Sequence, residues 1–190
     1  FAEEVSSPSQ YNSPIEYQKA TGKSITTFKE APQLAELVKQ KKLPPVKERL
    51  PNEPVVSVPV EEIGEYGGTW RRAYLGPSDL MNLYTVTYDP LLRWDRNDPR
   101  KVIPNIAKSW KFSNDGKSFI LTIREGIRWS DGEPFTADDI IFWYEDIILN
   151  DDLTPSKPWW LRVKEKIGKV VKVDDYTVAF TFDKPYSFIE

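Results

Sequence analysis

Eight of the sixteen prolines fall before Glu61. Proline has no amide hydrogen to give to a ladder and its ring clashes inside a helix, so a segment this rich in proline cannot be continuous sheet or one long helix. Residues 1–66, with Ser, Lys and Glu in excess, therefore read as an extended, Pro-rich arm. One island interrupts it. Pro32 suits a first helical position, and Leu34, Leu37 and Val38 recur on one face, which predicts a short helix ending near Lys42 before Pro44 and Pro45. Such an arm either drapes over a folded body or links it to a membrane anchor.

From Gly67 the texture changes to strand-like runs at short intervals. Thr69–Leu75 reads as the first strand, freed by the Gly67-Gly68 pair. A hairpin is predicted from Trp110–Phe112 and Phe119–Ile123, because Asn114, Asp115 and Gly116 supply the left-handed conformations of its turn. Val170–Val173 and Thr177–Phe182 form a second around Asp174-Asp175, with Val178, Phe180 and Phe182 alternating onto one face. Helices are expected near Ile106–Ser109 and from just after Phe135. Mixed hairpins and helices make the fold class α+β.

Trp129–Asp146 concentrates six carboxylates beside an aromatic run. Pro134 disfavours helix before it, Thr136 is a good N-cap, and Asp139 three residues later completes a capping-box pattern. Asp138 and Asp139 then sit in the first turn, where the helix dipole favours negative charge by ~0.3 to 1 kcal/mol each. Ile140, Trp143, Tyr144, Ile147 and Ile148 follow at the spacing of one buried face. Adjacent helical residues point in different directions, so the two aspartates are not a facing catalytic pair.

Composition narrows the chemistry. The chain has no histidine and no cysteine, which removes Ser-His-Asp and Cys-His machinery, thiol redox chemistry, disulfides and imidazole- or sulfur-based zinc sites. No catalytic residue, metal site or cofactor is expected. With 39% apolar residues, 29% charged residues and a net charge of -3, the chain reads as a soluble globular protein without a general footprint for nucleic acid. No apolar run approaches the ~18 to 20 residues that would span a bilayer. The chain begins at Phe1 and its one methionine is Met81, which reads as a processed or engineered end and permits export.

A series of motifs then follows in order: Tyr88-Asp-Pro-Leu-Leu-Arg-Trp-Asp95, Val102-Ile-Pro-Asn-Ile-Ala-Lys-Ser-Trp110, Asn114-Asp-Gly-Lys117, Leu121-Thr-Ile-Arg-Glu-Gly-Ile-Arg-Trp-Ser-Asp-Gly132, Pro134-Phe-Thr-Ala-Asp-Asp-Ile140 and Val173-Asp-Asp-Tyr-Thr-Val178. This order closely resembles the N-terminal region of the family 5 extracellular solute-binding proteins, the oligopeptide-, dipeptide- and nickel-binding receptors of ABC importers, some of which carry oligosaccharides. The resemblance runs over roughly Gly67 to Ile189. It implies a noncatalytic, periplasmic or extracellular receptor that closes on an oligosaccharide or oligopeptide and presents it to permease subunits. It also implies the N-terminal part of a two-lobed periplasmic-binding-protein-like fold, with residues 67–84 the first strand and cleft loop of lobe I and 85–190 its small subdomain. The chain is then expected to stop before lobe II, and a fragment cut inside a sheet is expected to self-associate.

Two places are candidates for ligand contact. In the resembled family the connection after the first strand faces the cleft, which nominates Ser78, Asp79, Asn82 and Tyr84; an ordinary capped loop is the alternative. Trp159 and Trp160 are the second, because neighbouring bulky side chains in a loop cannot both bury easily. Trp110, Trp129 and Trp143 read as packing residues. Arg71 and Arg72 on a strand would point to opposite faces, which argues against a phosphate site. A noncatalytic carbohydrate-binding or adhesion module is the competing function; a carboxylate-dependent hydrolase using Asp79, Glu145 or Asp146 has no support in the spacing.

Overall fold

The computed structural model describes residues 8–79, 81, 84 and 87–186. They fall into two compact units, one of Phe1–Leu50 with Pro54–Asn105 and one of Pro51–Glu53 with Ile106–Glu190.

In the first unit, strand β1 (Gln10–Tyr11) pairs antiparallel with β2 (Val56–Ser57). Helix α1 (Pro14–Thr21) was not expected from the proline content. Its ends are nevertheless written in the sequence: the Ser13 hydroxyl accepts from the Glu16 amide at 3.1 Å, Pro14 stands where no amide is needed, and Gly22 closes the helix at φ 73°. Helix α2 (Pro32–Lys39) forms as expected, and Lys41 at φ 57° lets the Lys42 amide reach back to the Leu37 carbonyl at 2.9 Å. A single turn, α3 (Val46–Arg49), follows, with Arg49 paired to Glu30.

Thr69–Leu75 does not form the expected strand; it has no regular structure. A strand exists only by pairing, and no described strand pairs with it. The Arg72 guanidinium instead sits 4.8 Å from the centre of the Trp70 ring. Further on, β3 (Leu92–Trp94) pairs antiparallel with β4 (Val102–Pro104). The buried Asp95 carboxylate accepts from the Asn97 amide at 2.7 Å, and this bond holds its pKa below the ordinary value despite burial.

The second unit is a four-stranded antiparallel sheet with a helix. The strands are β5 (Ala107–Phe112), β6 (Ser118–Ile123), β9 (Lys169–Asp174) and β10 (Thr177–Thr181), in the order β5-β6-β10-β9. Both predicted hairpins form, and Gly116 takes the left-handed conformation at φ 65°. A helix at Ile106–Ser109 does not form: β5 begins at Ala107, because pairing with β6 supplies ladder bonds that a one-turn helix lacks. A two-residue turn at Lys164-Glu165, with Lys164 at φ 56°, joins β7 (Arg162–Val163) to β8 (Lys166–Ile167).

Phe119, Leu121 and Ile123 of β6 and Val178 and Phe180 of β10 form the buried face. Each such side chain contributes roughly 1.5–3 kcal/mol by leaving water. Helix α4 (Ala137–Phe142) starts at the Thr136 cap, where both bonds of the capping box are made. It then widens into a π-helix over Trp143–Ile148. Four residues overshoot one α turn and fall short of one π turn, so the switch keeps Ile140, Tyr144 and Ile148 on one buried line.

Candidate ligand-binding site

In the first unit, the stretch after Leu75 tightens into a 3-10 turn at Pro77–Asp79. The Asp79 carboxylate turns back to accept from the Leu75 amide at 2.7 Å, and the Asp79 amide donates to the Gly76 carbonyl at 2.9 Å. Asp79 therefore first fixes its own loop, as a capped loop would. Ser78 is exposed, and Tyr84 is 44% exposed with its ring 4.9 Å from that of Tyr88. Asn82 lies outside the described residues.

In the second unit, Trp159–Leu161 is also a 3-10 turn, anchored on every side but one. Leu161 is fully buried, and its carbonyl accepts from the Gly168 amide at 2.7 Å. Trp160 lies parallel to Trp143 with ring centres 6.0 Å apart, and the Tyr186 hydroxyl donates to the Trp160 carbonyl at 2.7 Å. Trp159 remains 74% exposed. The two adjacent tryptophans nominated by the sequence stand in different settings: Trp160 is half-buried against Trp143, and Trp159 is a surface ring.

Trp129 departs from its packing role. It is half-exposed, edge-on to Phe135 at 5.0 Å, and its indole Nε1 donates to Asp139 at 2.9 Å. Asp138 is paired with Lys172, which also meets Asp175. The aspartate hydrogen bonds raise the Lys172 pKa above its ordinary value. Lys157 donates to the Thr154 carbonyl and pairs with Asp151, whose pKa is lowered by its own hydrogen bond from Lys157. No cluster of three metal-ligating side chains occurs among the described residues. No described helix is long and apolar enough to cross a membrane.

Residues 101–189 match the family model for bacterial extracellular solute-binding proteins, family 5 Middle. The matched segment belongs to that family. Nearly the whole chain extends the likeness: it is 49% identical to a solved structure of an oligopeptide-binding protein, OppA, with a TM-score of 0.86 over 94% of this chain and 28% of that one. The periplasmic alpha-galactoside-binding protein of Rhizobium meliloti (strain 1021) is 32% identical, over 86% of this chain and 27% of its own. The periplasmic binding protein MelB of Agrobacterium fabrum C58, solved with stachyose, is 28% identical with a TM-score of 0.54, over 85% of this chain and 27% of that one. The chain thus spans about a quarter of the length of these relatives. Its α+β architecture is part of the periplasmic-binding-protein fold.

Proposed function

We propose that this family 5 chain belongs to a periplasmic or extracellular receptor of an ABC importer, which binds an oligosaccharide or oligopeptide and delivers it to membrane permease subunits without catalysis. The observation that carries this reading is the 49% identity to OppA over 94% of the chain. Two relatives point to sugars, one named for alpha-galactosides and one solved with stachyose, and they favour an oligosaccharide. The ligand contacts assigned to this chain are Ser78, Asp79, Asn82 and Tyr84 in one unit and Trp159 and Trp160 in the other. Residues 1–66 are the arm, 67–84 the cleft loop of lobe I without the expected strand, and 85–190 its small subdomain.

The reading is tested by a thermal-shift screen of the full-length gene product against stachyose and short peptides. Stabilisation by one class supports a receptor and identifies its cargo; silence toward both classes counts against it. A second reading, a self-sufficient carbohydrate-binding module, is favoured by the exposed and firmly anchored Trp159. It predicts that the 190 residues alone respond to stachyose.

A further inference from the structure

Three residues of the N-terminal segment, Pro51–Glu53, belong to the second unit although the residues on either side belong to the first. They lie against the end of β6. The Asn52 amide donates to the Glu125 carbonyl at 3.0 Å, and the Arg124 guanidinium donates to the Glu53 carbonyl at 2.9 Å. The Glu53 carboxylate pairs with the ammonium of Lys108 on the neighbouring strand β5. Arg124 is only 2% exposed, so its charge is committed to this position and requires hydrogen-bond acceptors there. Gly126 completes the fit. At φ 87°, a side chain there would be strained, and its Cβ would stand 3.1 Å from the Asn52 nitrogen and 3.3 Å from the Pro51 Cα. The absence of a side chain is what lets the segment lie so close.

We infer that Pro51–Glu53 is a latch seated on the β5–β6 side of the four-stranded sheet, and that Glu53 is the part of it that opens with ionic strength. Its other two attachments, the Asn52–Glu125 backbone bond and the bond from the buried Arg124 guanidinium to the Glu53 carbonyl, are little screened by salt, whereas the Glu53–Lys108 pair is more than a third exposed and is screened. Rising salt therefore loosens the strap while the sheet beneath stays folded. This inference rests on the geometry of one unit and stands whether or not the receptor reading holds.

Hydrogen exchange of the full-length gene product, read on the segment covering residues 50–55, tests it, with residues 118–123 of β6 as control. Glu53→Gln keeps the side-chain size and removes the charge; exchange in 50–55 should rise about two- to fivefold at low salt, with the control unchanged. Salt at about 0.5 M should bring the wild type to the variant's rate and leave the variant itself unaffected. Gly126→Ala, which presses on the latch without touching a charge, should accelerate the same segment at every salt concentration. Unchanged exchange in Glu53→Gln would overturn the latch, and so would an equal rise in the β6 control, which would mean general loosening. If Gly126→Ala fails to fold, the charge and salt measurements decide the matter.

Discussion

Gly168 and Tyr144 tie the helix to the sheet at the level of single atoms. The Tyr144 hydroxyl donates to the Gly168 carbonyl at 2.9 Å in a buried position. A Cβ on Gly168 would stand 2.4 Å from the Phe182 ring. Gly168→Ala must displace that ring, and overpacking of this kind costs roughly 1–3 kcal/mol, readable as a lower urea midpoint. Tyr144→Phe leaves the buried carbonyl without its donor and should cost about 1–2 kcal/mol. Because both changes act at Gly168, their costs should couple, and the double variant should depart from the sum of the two. The tyrosine also carries a pH signature. Burial, with Glu145 nearby, raises the Tyr144 pKa above its ordinary 10.0. The protonated form is favoured by folding, so this stabilisation is fully present below about pH 10 and is lost as pH rises through the folded value. Urea titrations across the alkaline range should show a shallower decline in Tyr144→Phe than in the wild type.

Helix α4 offers a second separation of causes. Thr136→Ala removes the cap and should cost about 1 kcal/mol. Asp139→Ala breaks the capping box and also frees the Trp129 indole, so it alone should change the tryptophan emission of the folded protein. This cap was legible in the sequence because its four residues act on one another locally. So were the two hairpins, whose turn residues and alternation are also local. Tertiary partners decided the rest. Ala107–Ser109 became strand through pairing with β6, and Thr69–Leu75 stayed irregular, with no partner strand among the described residues. Helix α1 was legible too, at Ser13, Pro14, Glu16 and Gly22, but the proline density of its surroundings outweighed that signal. The π turn and the Trp143–Trp160 stack depend on contacts distant in sequence, and no local pattern encodes them.

At the scale of the molecule, a cleft that holds a solute must enclose most of its surface. The chain spans about a quarter of its relatives' length, so on the receptor reading it would supply only a share of such a cleft. It also exposes large apolar side chains in the first unit, among them Val60, Ile63, Trp70, Leu75 and Met81. We propose that the 190 residues in isolation therefore self-associate, with a scattering mass that rises with concentration; a constant monomer mass at high concentration contradicts this. The receptor reading makes a further demand on binding. The most direct measurement is calorimetric titration of stachyose into the full-length gene product and, separately, into residues 1–190. The account predicts saturable binding by the full-length protein and binding by the 190 residues weaker by on the order of a hundredfold or more. Equal affinity of the two would contradict a cleft shared with the rest of the receptor and would establish this chain as a carbohydrate-binding module in its own right.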